Sequence, residues 1–161
     1  MLTLEQFQEL LTYEPDSGIF RWIVSRGPVH PGHIAGSVFG GGYVYVCINT
    51  HRYMAHRLAW LFVNGSWPTC FIDHINGDRA DNRIANLRDV SCSVNTQNQK
   101  RPRSDNRSGL LGVSIVASTG KYRAAIKVDG KSIWIGDFND PYEAHAAYVS
   151  EKRKRHVGCT I

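Results

Sequence analysis

The first apolar positions recur at helical spacing, at Leu4, Phe7, Leu10 and Leu11. Thr3 stands where an N-cap is needed, and Gln6 three residues on completes a capping box. Pro15, Asp16, Ser17 and Gly18 end this helix in a turn. The pattern then predicts a short strand over 18–24, followed by a loop rich in Gly, Pro and His. A hairpin is predicted over 34–48, with Gly40, Gly41 and Gly42 as its turn and a β-branched, aromatic run from Tyr43 to Ile48. Residues 53–63 read as a mostly buried helix, closed by Asn64-Gly65 with Pro68 beyond. A strand at 71–75, a polar loop over 76–86 and a strand at 87–90 come next. Ser91 caps a short helix running to about 99.

The remainder has a different texture. Residues 97–110 are polar, with Lys100, Arg101, Arg103 and Arg107 set against Asp105 alone. This segment reads as a linker able to lie along a phosphate backbone. Three short strands follow at 112–117, 122–128 and 132–135. Asp129-Gly130 between the last two suits the positive φ angles of a type I′ hairpin turn. Asp140 caps a final helix with Pro141 at its first position, running to about 156. Strand parity puts Tyr122, Ala124, Ile126 and Val128 on an apolar face with Val113, Ile115, Ile133 and Ile135. That face can pack on the helix through Ala144, Ala147 and Tyr148. The opposite face carries Arg123, Lys127, Ser132 and Trp134.

Composition narrows the class without choosing a function. The 161 residues are 42% hydrophobic and 20% charged, which fits a globular chain of one domain or two small ones. No apolar run approaches the ~20 residues of a membrane span. No signal peptide is evident either, so a cytoplasmic location is expected. The net charge is +5, split as −1 over residues 1–96 and +6 over 97–161. A basic half fits a polyanionic partner, and equally an ordinary basic surface. The four cysteines, Cys47, Cys70, Cys92 and Cys159, form no CxxC pair, so no structural zinc is expected and they read as small core residues.

The stretch with chemical content is Asp73-His74-Ile75-Asn76-Gly77-Asp78, continued by Asp81-Asn82-Arg83 and Asn86-Leu87-Arg88, with Asn95 beyond. Phosphodiester hydrolysis needs a base for water and a cation to neutralise charge growing on phosphate and leaving oxygen. A neutral His near pH 7 is suited to the first task, and a carboxylate with an amide oxygen offers hard ligands for the second. Neighbours on a regular strand point to opposite faces, so the strand must end or twist at Asp73-His74 for both to serve one site.

This stretch closely resembles the HNH nucleases, with their ββα-metal fold, and most of all the phage and intron homing endonucleases whose last motif residue is Asn. His56-Arg57-Leu58-Ala59-Trp60 resembles the helix that precedes the motif in that family, and Tyr13-Glu14-Pro15 with Gly18-Ile19-Phe20-Arg21-Trp22 resembles its start. The resemblance implies His74 as general base, Asn86 holding the loop and orienting that His, and Asp73 with Asn95 binding one divalent ion, magnesium or manganese. Asp78, Asp81 and Asn82 are expected to fix the loop, and His56 to be a packing residue.

The C-terminal unit resembles an AP2-type DNA-binding domain. The resemblance is carried by Gly112-Val113, Lys121-Tyr122-Arg123-Ala124-Ala125-Ile126, Trp134-Ile135-Gly136-Asp137-Phe138, Glu143-Ala144 and Ala147-Tyr148. It implies a DNA face with Lys127, Ser132 and Trp134, to which strand parity adds Arg123.

Together these readings describe an α+β chain: an HNH nuclease domain over 1–99, a basic linker over 100–110, and a small three-stranded antiparallel sheet packed on one helix over 111–161. The expected partner is double-stranded DNA, cut by a site-preferring enzyme of phage or prophage origin acting in the host cell. Arg101, Arg103 and Arg107 join the sheet residues as DNA contacts. A DNA-binding regulator with a weak nuclease fold and a non-specific or structure-selective nuclease are the alternatives. Monomer and homodimer both remain open, since no leucine heptad is present.

Overall fold

The structure is a computed structural model that describes residues 2–161. It is a mixed α+β chain of four α-helices and four small antiparallel sheets. The chain divides into two compact units, one ending at Cys92 and the other running from Ser93 to Ile161.

In the first unit, α1 (Leu4–Gln8) begins at Thr3, which accepts from Gln6 N while the Gln6 side chain returns to Thr3 N. The capping box therefore forms as expected, but the helix is shorter than the apolar spacing suggests. Leu11 belongs to β1 (Leu11–Glu14), which pairs with β2 (Ile19–Trp22) across the Pro15–Gly18 turn. The reason is local: Leu11 and Tyr13 alternate with Thr12, and the turn folds this run back onto Phe20 and Trp22, so period two wins over helical spacing.

The expected hairpin forms as β3 (Ser37–Val38) against β4 (Val44–Ile48). A third strand, β5 (His51–Met54), pairs with β4 through a two-residue turn at Asn49-Thr50, both with positive φ. The predicted helix at 53–63 therefore starts two residues later, as α2 (Ala55–Asn64), because Tyr53 and Met54 are drawn into the sheet. Gly65 closes α2 in the left-handed conformation, its N–H returning to Leu61 O, as Asn64-Gly65 implied. Phe7, Leu11, Phe20, Val46, Ile48 and Leu58 are at most 2% exposed and form the centre of this unit's core. Full burial of each such side chain contributes roughly 1.5–3 kcal/mol. A second hairpin pairs β6 (Phe71–His74) with β7 (Leu87–Val90), joined by the 76–86 loop and a 3-10 turn at Ile84–Asn86.

The second unit contains α3 (Cys92–Gln97) from Ser93 onward, the sheet of β8 (Val113–Ile115), β9 (Tyr122–Val128) and β10 (Lys131–Phe138), and α4 (Pro141–Arg155). Asp140 caps α4 by accepting from Tyr142 N. Asp129 and Gly130 both have positive φ, as their hairpin turn requires. Val113, Ala124, Ile126, Ala144 and Tyr148 form a separate small core between sheet and helix. Lys152 is 1% exposed, and its ammonium donates to Gln99 O. Gly158 N donates to Gln97 Oε1, so the chain's end is fastened to α3.

Within the 97–110 stretch, Asn106 and Ser108 bind each other and the carbonyls of Leu110 and Val113, which gives its end local order. One expectation is corrected here. The cysteines are not core residues: Cys47, Cys70 and Cys92 are exposed, and Cys159 is half-buried. Cys47, for example, lies on the outward face of β4 while its neighbours Val46 and Ile48 point into the core.

Candidate active site

The β6–β7 hairpin brings Asp73, His74 and Asn86 together. Asp73 pairs in register with Arg88, and His74 with Leu87. β6 ends at His74, where Gly77 N donates to His74 O. Asp73 and His74 are each 5% exposed. Arg88 donates from Nε at 2.8 Å, and its NH2 lies 2.7 Å from the same oxygen, Asp73 Oδ2.

Burial is the largest influence on His74 and holds its pKa below the ordinary imidazole value; Asn82 and the carboxylates of Asp73, Asp81 and Asp78 pull the other way without reversing it. The imidazole is therefore neutral at pH 7, the state a general base requires. His74 Nε2 lies 3.4 Å from Asn82 Oδ1.

Asn86 ties the loop shut. Its Oδ1 accepts from Asn76 N at 2.9 Å, and its Nδ2 donates to Asn76 Oδ1 and Asp81 O. Asp81 is gripped by Arg83 through both carboxylate oxygens and by Asn76, and the Arg83 hydrogen bonds bring its pKa down to about 2. Asp78 accepts from Ala80 N. The 76–86 loop is thus fixed by its own polar side chains rather than by an apolar core.

Three neighbours surround His74, of which Tyr43 alone carried no sequence signal of its own. Asn82, 2% exposed, has its carbonyl bound by Tyr13 Oη at 2.8 Å, and burial pushes the Tyr13 phenol up to about 12. Tyr43 stands with its ring centroid 6.0 Å from His74 and 5.3 Å from His56. His56 is edge-on to His74 at 5.1 Å, and burial, reinforced by His74 and Arg57, lowers its pKa to about 3. It acts as a neutral packing ring, but its Nδ1 is buried with no hydrogen-bond partner.

Asn95 lies on α3, in the second unit. Among the described residues no group of three His, Cys, Asp or Glu side chains is assembled for a metal. The donors named from sequence are a buried carboxylate and an amide, both oxygen ligands, a chemistry that fits magnesium or manganese better than zinc.

The second candidate surface is the outward face of the β8–β9–β10 sheet. Lys127 pairs with Ser132, Ala125 with Trp134 and Arg123 with Asp137, so these side chains share one face. The register shift between Trp134 and Gly136 is what returns Asp137 to that face. Trp134 is 62% exposed. Arg123 is held by both oxygens of Asp137 at 2.8 Å, and the Trp134 indole donates to the same carboxylate at 3.1 Å. Arg123 is therefore not a free cation on this face, and Lys127 supplies the uncompensated charge beside Trp134. Arg101, Arg103 and Arg107 are exposed.

Part of the chain is similar to known proteins. Residues 53–97 match the family model described as HNH endonuclease, a span that runs from Tyr53 to Gln97 and includes His56, Asp73, His74, Asn86 and Asn95. A 77-residue stretch, 47% of the chain, is 35% identical to "Protein 3.8" of Escherichia phage T7 and covers 63% of that protein's length. No solved structure matches the chain.

Proposed function

We propose that the protein is a DNA endonuclease of the HNH type that hydrolyses phosphodiester bonds with His74 as general base. The observation that carries this reading is the placing of Asp73 and a neutral, buried His74 at the end of β6, within the span that matches the HNH endonuclease model. His74 takes the proton from the attacking water, and Asn82 orients its ring. Asn86 keeps the loop and β7 in place against β6. Asp73 would supply a carboxylate ligand for one magnesium or manganese ion, which when bound neutralises charge on the phosphate and leaving oxygen. Arg88 holds Asp73 Oδ2 and orients the carboxylate for that role.

Residues 1–99 form the nuclease domain in this reading. Residues 111–161 form an AP2-like DNA-binding domain that supplies affinity and site preference through Lys127, Ser132 and Trp134, and the basic 100–110 stretch joins them. The exposed tryptophan beside a lysine on a three-stranded sheet supports this role, since such a sheet fits the major groove. The likeness to a T7 protein supports a phage or prophage origin. A DNA-binding regulator with little cutting activity is the second reading, favoured by the guanidinium that already occupies Asp73 Oδ2. Incubating the protein with supercoiled plasmid, with magnesium or manganese and with EDTA, separates the two. Nicked or linear DNA that disappears with EDTA supports the nuclease, and intact plasmid with tight binding supports the regulator.

A further inference from the structure

The first unit carries no net positive charge, so its sequence alone points to the second unit for DNA affinity. Six of its seven arginines are nevertheless used in two different ways, while Arg57 binds the carbonyls of Pro68 and Cys70. Arg21, Arg83 and Arg88 are paired with Glu14, Asp81 and Asp73. Arg26, Arg52 and Arg79 have no carboxylate partner among the described residues, and each lies over an aromatic ring. The guanidinium carbon of Arg26 is 4.5 Å from the Trp22 ring centroid, that of Arg52 is 4.8 Å from Phe39, and that of Arg79 is 4.8 Å from Tyr43.

These three seats are connected. Arg26 donates to Cys47 O, and Cys47 pairs in register with Arg52 across β4 and β5. The alternation of β4 sends Val46 and Ile48 inward and Tyr45 and Cys47 outward, so Arg52 lies on the outer face of the sheet. Phe39, the seat of Arg52, packs on Tyr45 and closes the glycine turn by donating its N–H to Tyr43 O. Tyr43 is the seat of Arg79, whose NH1 also donates to Gly41 O, and the Tyr43 ring neighbours His74.

We propose that Arg26, Arg52 and Arg79 form a phosphate-binding track along the β3–β4–β5 sheet, leading the DNA backbone to His74. The inference rests on the endonuclease reading and assigns part of substrate binding to the nuclease unit itself. A ring under a guanidinium fixes its plane and leaves N–H donors for phosphate oxygens, so less side-chain freedom is lost on binding. Three uncompensated cations in a row match a backbone that presents one charge after another.

The test is DNA binding by the full chain, in EDTA, followed by fluorescence anisotropy across a salt series. Replacing all three arginines by glutamine is expected to lower the log Kd against log salt slope by about 2.7, at about 0.9 for each phosphate no longer neutralised. Arg21→Gln, which removes a cation already paired with Glu14, is expected to leave the slope unchanged. The triple Arg→Lys variant keeps the charges and is expected to keep the slope. Circular dichroism checks that each variant is folded. A wild type that cuts DNA, with a triple glutamine variant of unchanged slope, overturns the track alone. A glutamine and a lysine variant with the same reduced slope also overturn it, because charge is then not the cause. A wild type that neither binds nor cuts overturns both the track and the endonuclease reading.

Discussion

Gly18→Ala is expected to damage the active-site loop from a position 56 residues before His74. Gly18 has φ +73°, and a Cβ built there would lie 2.4 Å from Arg83 N and 2.5 Å from the carbonyl carbon of Asn82. Both are backbone atoms, so no rotamer change relieves the contact. The left-handed conformation costs an alanine about 1–2 kcal/mol. Overpacking against rigid neighbours adds about 1–3 kcal/mol, for roughly 2–5 kcal/mol in all. Restoring an ordinary contact of 3.4 Å or more moves the Asn82–Arg83 backbone by about 1 Å, and Asn82 is the residue that reaches His74. A displacement of that size at reacting groups lowers a rate by about 10²-fold. Gly27→Ala is the control: it has φ +59° but nothing within 4 Å, so it is expected to show the conformational cost alone and normal activity. Urea unfolding followed by tryptophan fluorescence, to which Trp22, Trp60 and Trp67 of the first unit contribute, reads the stability difference. Plasmid cleavage in the absence of urea reads the activity. Equal losses of stability and activity in the two variants would refute the argument that Gly18 is needed for loop placement.

The pH dependence of cleavage follows from His74. Only the neutral imidazole accepts a proton, and burial holds its pKa below the ordinary 6.5, so the rate is expected to rise with pH through one ionisation below 6.5 and then level off; a half-maximum above pH 7 contradicts this. His56 makes a separate contribution to stability. Its folded-state pKa of about 3 lies below the unfolded value of 6.5, so its stabilisation is complete above 6.5 and is lost as pH falls toward 3. About 2 kcal/mol is expected to be gone by about pH 5, and denaturation midpoints of wild type and His56→Leu at that pH and near pH 8 measure it; the variant should lose less than wild type by that amount, because His74 still contributes its own loss. Lys127→Ala and Trp134→Ala are each expected to weaken DNA binding in anisotropy titrations, with the Lys127 effect shrinking as salt rises and the Trp134 effect persisting.

Much of this architecture could be read from residue pattern because local signals and tertiary packing agree. The Thr3–Gln6 capping box, the Gly65 helix end, the Asp129-Gly130 turn and the Asp140-Pro141 helix start are all where the sequence places them. Leu11 and Tyr53 were harder, since an apolar residue at helical spacing is equally an inward residue of a strand, and only pairing with Phe20–Trp22 or with β4 decides. The alternation on β9 and β10 identified the face that carries Lys127, Ser132 and Trp134, but not the bulge that returns Asp137 to bind Arg123. At the candidate site, Asp73, His74 and Asn86 stand out as a spaced motif. Asn82 is inside that motif, yet its reach to His74 depends on the loop's closure. Tyr43 and Arg79 are ordinary residues in sequence, and only the approach of the glycine turn to the 76–86 loop seats Arg79 on Tyr43, whose ring neighbours His74.

The most direct test of the central claim compares wild type and His74→Ala on supercoiled plasmid with magnesium or manganese, alongside their affinities for a DNA duplex. Cleavage by the wild type, loss of cleavage in the variant and nearly equal affinities are the predicted result, because His74 is assigned to the proton and not to DNA binding. Undiminished cleavage by His74→Ala, or a loss of affinity equal to the loss of cutting, would contradict His74 as the general base.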